Sequence, residues 1–208
     1  MQTHFECDDI GEIKEHVGCK INHKPQRGCL KIMQPVLLQS FSNEFCLPEG
    51  RSPKLPAPPG EVLTKGKPKE LLPSWLQSTY RSGVGKLLYL AKWSRPEIKN
   101  RARELSRFVS GATMHHLDSM HKAMKHCVST PKRGLLIKPS RHWDGNPDFE
   151  HVVHGTSDSD CSKDPDARRS VGGRTTFLND SPAVRKSNMF EHVALSLCSR
   201  HVVYDASN

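Results

Sequence analysis

The sequence predicts an α+β fold in which strand pairs lie on either side of a helical middle segment. Two short runs with strand character come first, at 18–22 and 29–33. Apolar residues then recur at helical spacing over 80–128. Two further strand-like runs follow, one at 152–153 and one that begins near Ser170. The expected order is therefore strands, then helices, then strands.

The N-terminal part is predicted to form a helix and a hairpin. Residues 8–17 indicate a short helix, which Asp8 or Asp9 can cap. The segment 23–28 contains a proline and a glycine and predicts the turn between the first two strands.

A helix and a proline-rich segment follow this hairpin. Pro35 suits the first position of a helix that runs through Phe45. The buried face of this helix is predicted to carry Leu38, Phe41 and Phe45. Prolines then interrupt regular structure over 48–73, which predicts a linker or an extended strap across another surface.

Three helices and a short strand are predicted next. Ser94 and Pro96 mark the start of the second helix, and the third helix ends before Pro131. A short strand follows at 134–138. The apolar positions of the first helix are Tyr80, Val84, Leu87, Leu88 and Ala91. Those of the second helix are Ile98, Ala102, Leu105 and Val109, and those of the third are Met114, Leu117, Met124 and Cys127.

Composition narrows the class of partner. The 208 residues include 31 basic and 22 acidic side chains, a formal charge of +9. This excess favours a polyanion such as nucleic acid, although a merely soluble basic protein is the alternative. No apolar run approaches the ~18 residues of a membrane span, and the N-terminus lacks a signal-peptide pattern. The seven cysteines include no C-x-x-C pair, so we expect reduced thiols and an intracellular protein, cytoplasmic or nuclear.

Basic residues recur every four positions on the second predicted helix, at Lys99, Arg103 and Arg107. Phosphate contact is the functional interpretation, and an ordinary solvated face is the alternative. Lys132 and Arg133 follow the third helix and could extend this basic surface.

Two kinds of residue could hold a metal ion. The stretch Gly-Thr-Ser-Asp-Ser-Asp places Asp158 and Asp160 at the end of a strand-like run, which suits a hard cation such as magnesium. Four histidines also fall on the third helix. They lack the i, i+4 spacing and the matching cysteines of a zinc site, so an ordinary helix surface is the expected role. These histidines are His115, His116, His121 and His126.

Several motifs together resemble one family. They are FECDDIGEIKEHVGCKI, YRSGVGKLLYLAKWSRPEI, ELSRFVSGAT, TPKRGLLIKP, GTSDSDCSKDPDARRSVGGRTTFL and, in part, HVALSLCSRHVV. Their order and spacing are similar to the C-terminal part of the reverse transcriptase–ribonuclease H region of copia-type (pseudovirus) LTR retrotransposons.

The resemblance implies four regions. Residues 1–47 would be the end of the polymerase palm, with its hairpin, and the first thumb helix, and 48–79 a proline-rich linker. Residues 80–149 would form a helical thumb or connection region. Residues 150–208 would begin a truncated ribonuclease H-like α/β unit.

The resemblance also implies which catalytic groups remain. The paired aspartates of the polymerase centre have no counterpart, and Asp8 and Asp9 are expected to cap a helix instead. Asp158 matches the first metal-ligating aspartate of the ribonuclease H site, while His201 takes the place of the glutamate on the following helix. Imidazole is a poor magnesium ligand, and the remaining carboxylates would lie beyond Asn208.

We therefore expect a degenerate polyprotein fragment without catalysis. Magnesium would be its ancestral cofactor, with none bound now. The alternative is a residual module that binds an RNA–DNA or DNA duplex through Lys99, Arg103, Arg107, Lys132 and Arg133, without the palm and fingers of the parent polyprotein. No membrane partner is expected.

Overall fold

The computed structural model describes residues 11–146, 148–160, 170–189 and 200–205. Over these residues the chain is an α+β protein with four α-helices and two antiparallel sheets, which confirms the predicted fold class. The helices are α1 (Pro35–Glu44), α2 (Ser74–Trp93), α3 (Lys99–Ser106) and α4 (Met114–Val128). The strands are β1 (Glu15–His16), β2 (Cys19–Lys24), β3 (Cys29–Met33), β4 (Leu135–Ile137), β5 (Val152–Asp160), β6 (Val171–Leu178), β7 (Ser181–Met189) and β8 (Arg200–Asp205).

The first sheet has the strand order β1-β2-β3-β4 and contains the predicted hairpin. Ile21 lies opposite Ile32 in the antiparallel β2–β3 pair. A 3-10 turn at Pro25–Arg27 joins the two strands and ends at Gly28, which has a φ of 54°. A Cβ atom at Gly28 would lie 2.4 Å from Nε2 of His142, so both backbone conformation and space favour glycine here.

The helix predicted for 8–17 is wrong over its described part. Glu15 and His16 form strand β1, which pairs with β2. Gly11 and Gly18 have φ values of 73° and 68°, which a right-handed helix does not allow. A helix of only ten residues is marginally stable by itself. Pairing with β2 instead satisfies backbone hydrogen-bonding groups of Glu15 and His16. The proposed caps, Asp8 and Asp9, lie outside the described residues.

The helices enclose one apolar core, and most of the apolar positions predicted from helical spacing lie in it. The prediction is wrong for Leu88 and Met114, which are exposed at the edge of their helical faces. Tyr80 and Leu105 are fully buried, and the Tyr80 hydroxyl donates to the Leu105 carbonyl at 2.8 Å. Each large side chain buried in this way contributes about 1.5–3 kcal/mol relative to exposure. The core residues are Leu38, Phe41, Phe45, Leu63, Leu72, Tyr80, Val84, Leu87, Leu90, Ala91, Ile98, Ala102, Leu105, Phe108, Ala112, Leu117, Met120, Ala123, Met124 and Cys127.

The proline-rich segment is a strap across the helices. Leu63 and Leu72 from this segment are buried in the core. The carbonyls of Glu49 and Gly50 accept hydrogen bonds from Nζ of Lys125 at 3.4 and 3.3 Å. Helix α2 begins at Ser74, inside the range 48–79 that was expected to be linker.

The second sheet has the strand order β7-β6-β5-β8, with antiparallel pairing throughout. The predicted strands near 152 and 170 are confirmed as β5 and β6. Asn179 and Asp180 form a two-residue turn between β6 and β7, and their φ values of 46° and 62° suit the twist of a tight hairpin. Among the described residues, this sheet contributes no member to the apolar core.

Candidate nucleic-acid interface

Strand β5 carries the acidic stretch that the sequence singled out. Asp158 lies directly opposite Gly173 of β6, and its side chain is exposed. Ser157 lies opposite Arg174 in the neighbouring pair. Because successive side chains of a strand point to opposite faces, Asp158 shares a face of the sheet with Thr156.

The start of helix α3 faces this sheet. Pro96 begins a 3-10 turn, and α3 follows directly at Lys99. The Lys99 ammonium donates a hydrogen bond to the main-chain carbonyl of Arg185 in β7. This bond links the helical region to the second sheet.

Arg95 fixes the turn that precedes α3. Its side chain is 1% exposed, and Nε lies 2.5 Å from a carboxylate oxygen of Glu97. Nη1 donates to the carbonyls of Cys127 and Thr130 at 3.3 and 3.1 Å. These carbonyls lie at the C-terminal end of α4, where positive charge is favourable. The arginine of the Ser-Arg-Pro motif therefore holds the α3 turn against the end of α4.

A cleft of about 720 Å³ lies between the α3 turn and the second sheet. Four basic and two acidic residues line it, and the strand register places Arg174 and Lys186 on the opposite face of the sheet from Asp158 and Arg185. The charged lining residues are Lys99, Arg174, Arg185, Lys186, Glu97 and Asp158. The uncharged ones are Pro96, Asn100, Thr156, Ser157, Val171, Gly173, Thr175 and Ser187. By residue type, the described lining contains more basic than acidic residues.

Burial and neighbouring positive charge affect the ionisation of this lining. Burial lowers the pKa of Lys99, and the charges of Arg185 and Lys186 lower it further. Burial also lowers the pKa of Arg185, while the carboxylate of Glu97 opposes that change. A basic group held beside like charges in a partly buried place gains from a bound anion.

The other predicted basic residues lie outside this lining. Nη2 of Arg103 donates to Oδ1 of Asn100 at 3.0 Å, and the Arg107 guanidinium lies 5.4 Å from the centre of the Phe108 ring. Both arginines are half-buried, and whether the stripe contacts phosphate stays a prediction. Lys132 and Arg133 are exposed in the turn after α4. The structure brings only Lys99 of the five predicted residues into the cleft.

Arg174, Arg185 and Lys186 were not predicted as site residues, although all three line the cleft. Arg174 stood within a quoted motif, and the adjacent basic pair Arg185 and Lys186 was a visible signal. Arg185 and Lys186 lie in β7, and the sequence does not predict this strand because Ser181–Met189 contains a proline and lacks an apolar alternation. Without that strand there was no reason to place these residues beside Asp158.

The position of His201 differs from the one that the resemblance implies. His201 lies in strand β8, where its backbone pairs with Thr156 of β5, and not on a helix. Val202, Val203 and Tyr204 explain the difference, since β-branched and aromatic residues favour strands. The preceding residues, 195–199, lie outside the described part of the chain. Whether position 201 replaces a lost ligand stays a prediction.

The described residues do not fit a two-magnesium centre. Such a centre needs several carboxylates around one point, and no group of three His, Cys, Asp or Glu side chains converges within the described ranges. The side chain of Asp160 lies outside the description. On α4, Nδ1 of His116 accepts from the Thr113 amide at 2.9 Å, and Nδ1 of His126 lies 3.2 Å from the Pro53 carbonyl. These two histidines are buried and take part in packing, so the expected position on an ordinary helix surface is wrong for them.

Comparison with known proteins indicates a distant relation to retrotransposon polyproteins. The chain is 32% identical over 135 residues to a retrovirus-related Pol polyprotein from transposon RE1 of Arabidopsis thaliana, covering 65% of this chain and 8% of that protein. It is 29% identical over 103 residues to the corresponding polyprotein from transposon RE2 of the same plant, covering 50% and 6%. The chain thus spans less than a tenth of either polyprotein. No family model and no solved structure matches it.

A third similar protein is much shorter. The chain is 29% identical over 117 residues to secreted RxLR effector protein 161 of Plasmopara viticola, and the match covers 56% of this chain and 77% of that protein. Within the described ranges, no helix is long and apolar enough to cross a membrane.

Proposed function

We propose that this chain derives from the reverse transcriptase–ribonuclease H region of a copia-type polyprotein and acts as a nucleic-acid-binding module without catalysis of its own. The order of the sequence motifs and the similarity to two plant Pol polyproteins support this origin. The proposed activity is sequence-independent contact with the phosphate backbone of a duplex.

The basic cleft is the observation that carries this proposal. Lys99 from α3 and Arg174, Arg185 and Lys186 from the second sheet line a single space. Phosphate groups are recognised by lysine and arginine in this way, and such contacts supply most non-specific affinity. A fragment without any binding activity is the competing interpretation, and it gives no reason for basic residues of α3 and of the second sheet to lie beside one cleft.

The absence of catalysis is supported by the residues that remain. The sequence contains no Tyr-Val-Asp-Asp-like motif of the polymerase type. Asp158 is the one aspartate in the described part of the cleft lining, where four of the other five charged residues are basic. A two-metal phosphoryl-transfer centre needs carboxylates at these places.

A salt titration of duplex binding tests the proposal. The full chain would be bound to a short RNA–DNA duplex in a filter assay at increasing salt concentrations. We expect log K to fall linearly with log salt, and each Lys or Arg contact removed to reduce the slope by about 1. The exposed residues Lys186 and Arg174 are suitable for K186Q and R174Q. The matched control is K122Q, at an exposed lysine of α4 outside the cleft lining.

Two results would contradict the proposal. Equal slopes for K186Q, R174Q and K122Q would mean that the cleft does not contact the duplex. Magnesium-dependent cleavage of the RNA strand by the purified chain would mean that catalysis persists, and loss of that cleavage in D158N would assign it to this site.

A further inference from the structure

We propose that the first sheet carries a second surface for nucleic acid, formed by Lys20, Lys24 and Lys31 together with Lys132 and Arg133 in the turn after α4. These five residues are called the basic face. None of them lines the cleft, so the inference goes beyond the proposed function. The partner that fits the basic face is the phosphate backbone of a DNA duplex.

Strand register places the three lysines of the sheet on one face. Lys31 of β3 pairs with Asn22 of β2, and Lys20 and Lys24 lie two positions before and after Asn22. Side chains that are directly opposite each other, or two positions apart along one strand, point to the same face of a sheet. Lys20, Lys24 and Lys31 therefore share a face, which also carries Leu136 of β4, the partner of Lys31.

This face points away from the helices. The opposite face carries His16 and Cys19, which pair with each other between β1 and β2. The His16 ring meets the Trp93 ring of α2 edge-on, with 6.4 Å between their centres, and Cys19 is buried. Lys20 and Lys24 are exposed on the other face. A partner can therefore reach their ammonium groups from solvent.

A hydrogen bond brings the turn after α4 beside the same lysines. Nζ of Lys31 donates to the main-chain carbonyl of Lys132 at 2.7 Å. Lys132 and Arg133 are both exposed, and they are the predicted phosphate contacts that follow the third helix. Because their backbone lies next to Lys31, they extend the basic face of the sheet.

The basic face has an excess of positive charge. Glu15, which lies opposite Lys20, is the one acidic residue in the four strands of this sheet. The ion pairs among the described residues involve none of the five basic side chains. Five basic groups beside one carboxylate favour a polyanion.

The spacing of the lysines suits a nucleic-acid backbone. An antiparallel strand rises about 3.4 Å per residue, so Lys20 and Lys24 lie roughly 14 Å apart along β2. One strand of B-form DNA carries one phosphate per about 3.4 Å of helix axis, so this distance corresponds to about four phosphates. The choice of nucleic acid over an acidic protein rests on the origin proposed above.

Salt titration of binding to a short B-form DNA duplex tests the inference. The full chain would be compared with K20Q/K24Q, with K186Q and with the charge-matched control K65Q/K122Q. Lys65 and Lys122 are exposed and lie outside both the basic face and the cleft lining. We expect the slope of log K against log salt to be smaller by about 2 in K20Q/K24Q, because two phosphate contacts are lost. The control should keep the slope of the unmodified chain.

Chemical protection of lysines gives an independent measurement on the unmodified chain. The amine groups would be acetylated with and without the duplex, and the modified positions identified by mass spectrometry. We expect the bound duplex to protect Lys20, Lys24 and Lys132, while Lys65 and Lys122 stay reactive. Equal reactivity of the first three with and without the duplex would overturn the inference, and this result does not depend on how well any variant folds.

The outcomes separate this inference from the proposed function. A reduced slope in K186Q with an unchanged slope in K20Q/K24Q would overturn the inference and leave the cleft as the duplex contact. The reverse pattern would support the basic face and reject the cleft. Equal changes in K20Q/K24Q and K65Q/K122Q would assign the effect to net charge and reject the inference.

Two further results would also overturn the inference. Tighter binding of polyglutamate than of DNA at equal charge concentration would assign the basic face to an acidic protein. Absence of DNA binding would reject the basic face, and binding of the RNA–DNA duplex with a slope reduced by K186Q would still leave the proposed function standing.

Discussion

Replacing Gly83 with alanine tests how closely helices α2 and α4 pack. A Cβ atom at Gly83 would lie 2.4 Å from Sδ of Met120 and 2.9 Å from Cε of both Met120 and Met124. Both methionines are fully buried, so their side chains cannot move into solvent. Gly85 lies two residues further along the same helix, and a Cβ atom there would meet nothing within 4 Å. The two glycines form a matched pair.

The expected changes in the free energy of unfolding differ in sign between the two variants. In G85A, alanine replaces glycine in an open helical position, so we expect a gain of about 0.8–1 kcal/mol. G83A has the same gain in helix propensity but also overpacks the core, which costs about 1–3 kcal/mol. The two variants should therefore differ by about 2 kcal/mol. For a chain of this size that corresponds to a difference in Tm of about 4–8 °C.

Thermal unfolding followed by far-ultraviolet circular dichroism measures this difference. The double variant G83A/M120A provides a further check, because truncation of Met120 removes the nearest clashing atoms. We expect the G83A substitution to cost less in the M120A background than in the unmodified chain. An increase in Tm for G83A equal to that of G85A would refute the close contact between α2 and α4.

Two further predictions concern ionisable groups in the helical core. Burial, followed by the charge of His115, lowers the pKa of His116, so the unfolded state binds more protons once the pH falls below about 6.5. The free energy of unfolding should therefore fall as the pH is lowered from about 7 to about 5, and it should fall less in H116Q. Urea unfolding at each pH measures this, and an equal pH dependence in both proteins would refute the prediction. Burial raises the pKa of the Cys127 thiol to about 12, whereas Cys46 is exposed. Iodoacetamide should therefore alkylate Cys46 well before Cys127, and equal labelling by mass spectrometry would contradict the buried position of Cys127.

The helices could be predicted from the sequence because local signals and packing agree there. Pro35 begins α1, and the predicted apolar face of Leu38, Phe41 and Phe45 is buried. Strand β1 could not be predicted in the same way. Its residues pair with β2 across a turn at Gly18, and the positive φ of that glycine is not visible in the sequence. The aspartates before this segment favour a helix locally, because Asp is a good helix cap. Pairing of β1 with β2 overrides that local preference.

The candidate site was predictable only in part, because its two walls come from distant segments. Asp158 could be placed at the end of a strand from local pattern alone. Lys99 could be predicted as a basic surface residue, but its contact with the Arg185 carbonyl spans 86 positions of the chain. The lining of the cleft also depends on the antiparallel register that sets Thr175 opposite Arg185. Strand register of this kind depends on which strands pair in the folded protein, so the spacing of residues within one segment does not predict it.

The helical core and the second sheet are held in different ways, and this difference explains why a basic cleft lies between them. The core is apolar, whereas the sheet is joined to the rest of the chain by polar contacts. The Lys138 amide donates to Oγ of Ser181 at 2.8 Å, the Ser140 amide donates to the Asn179 carbonyl at 2.8 Å, and Lys99 contacts the Arg185 carbonyl. A junction made of polar groups leaves space that close apolar packing would fill. Lys99 both bridges this junction and lines the cleft. Removal of its side chain should therefore affect the contact between α3 and β7 as well as the proposed anion binding.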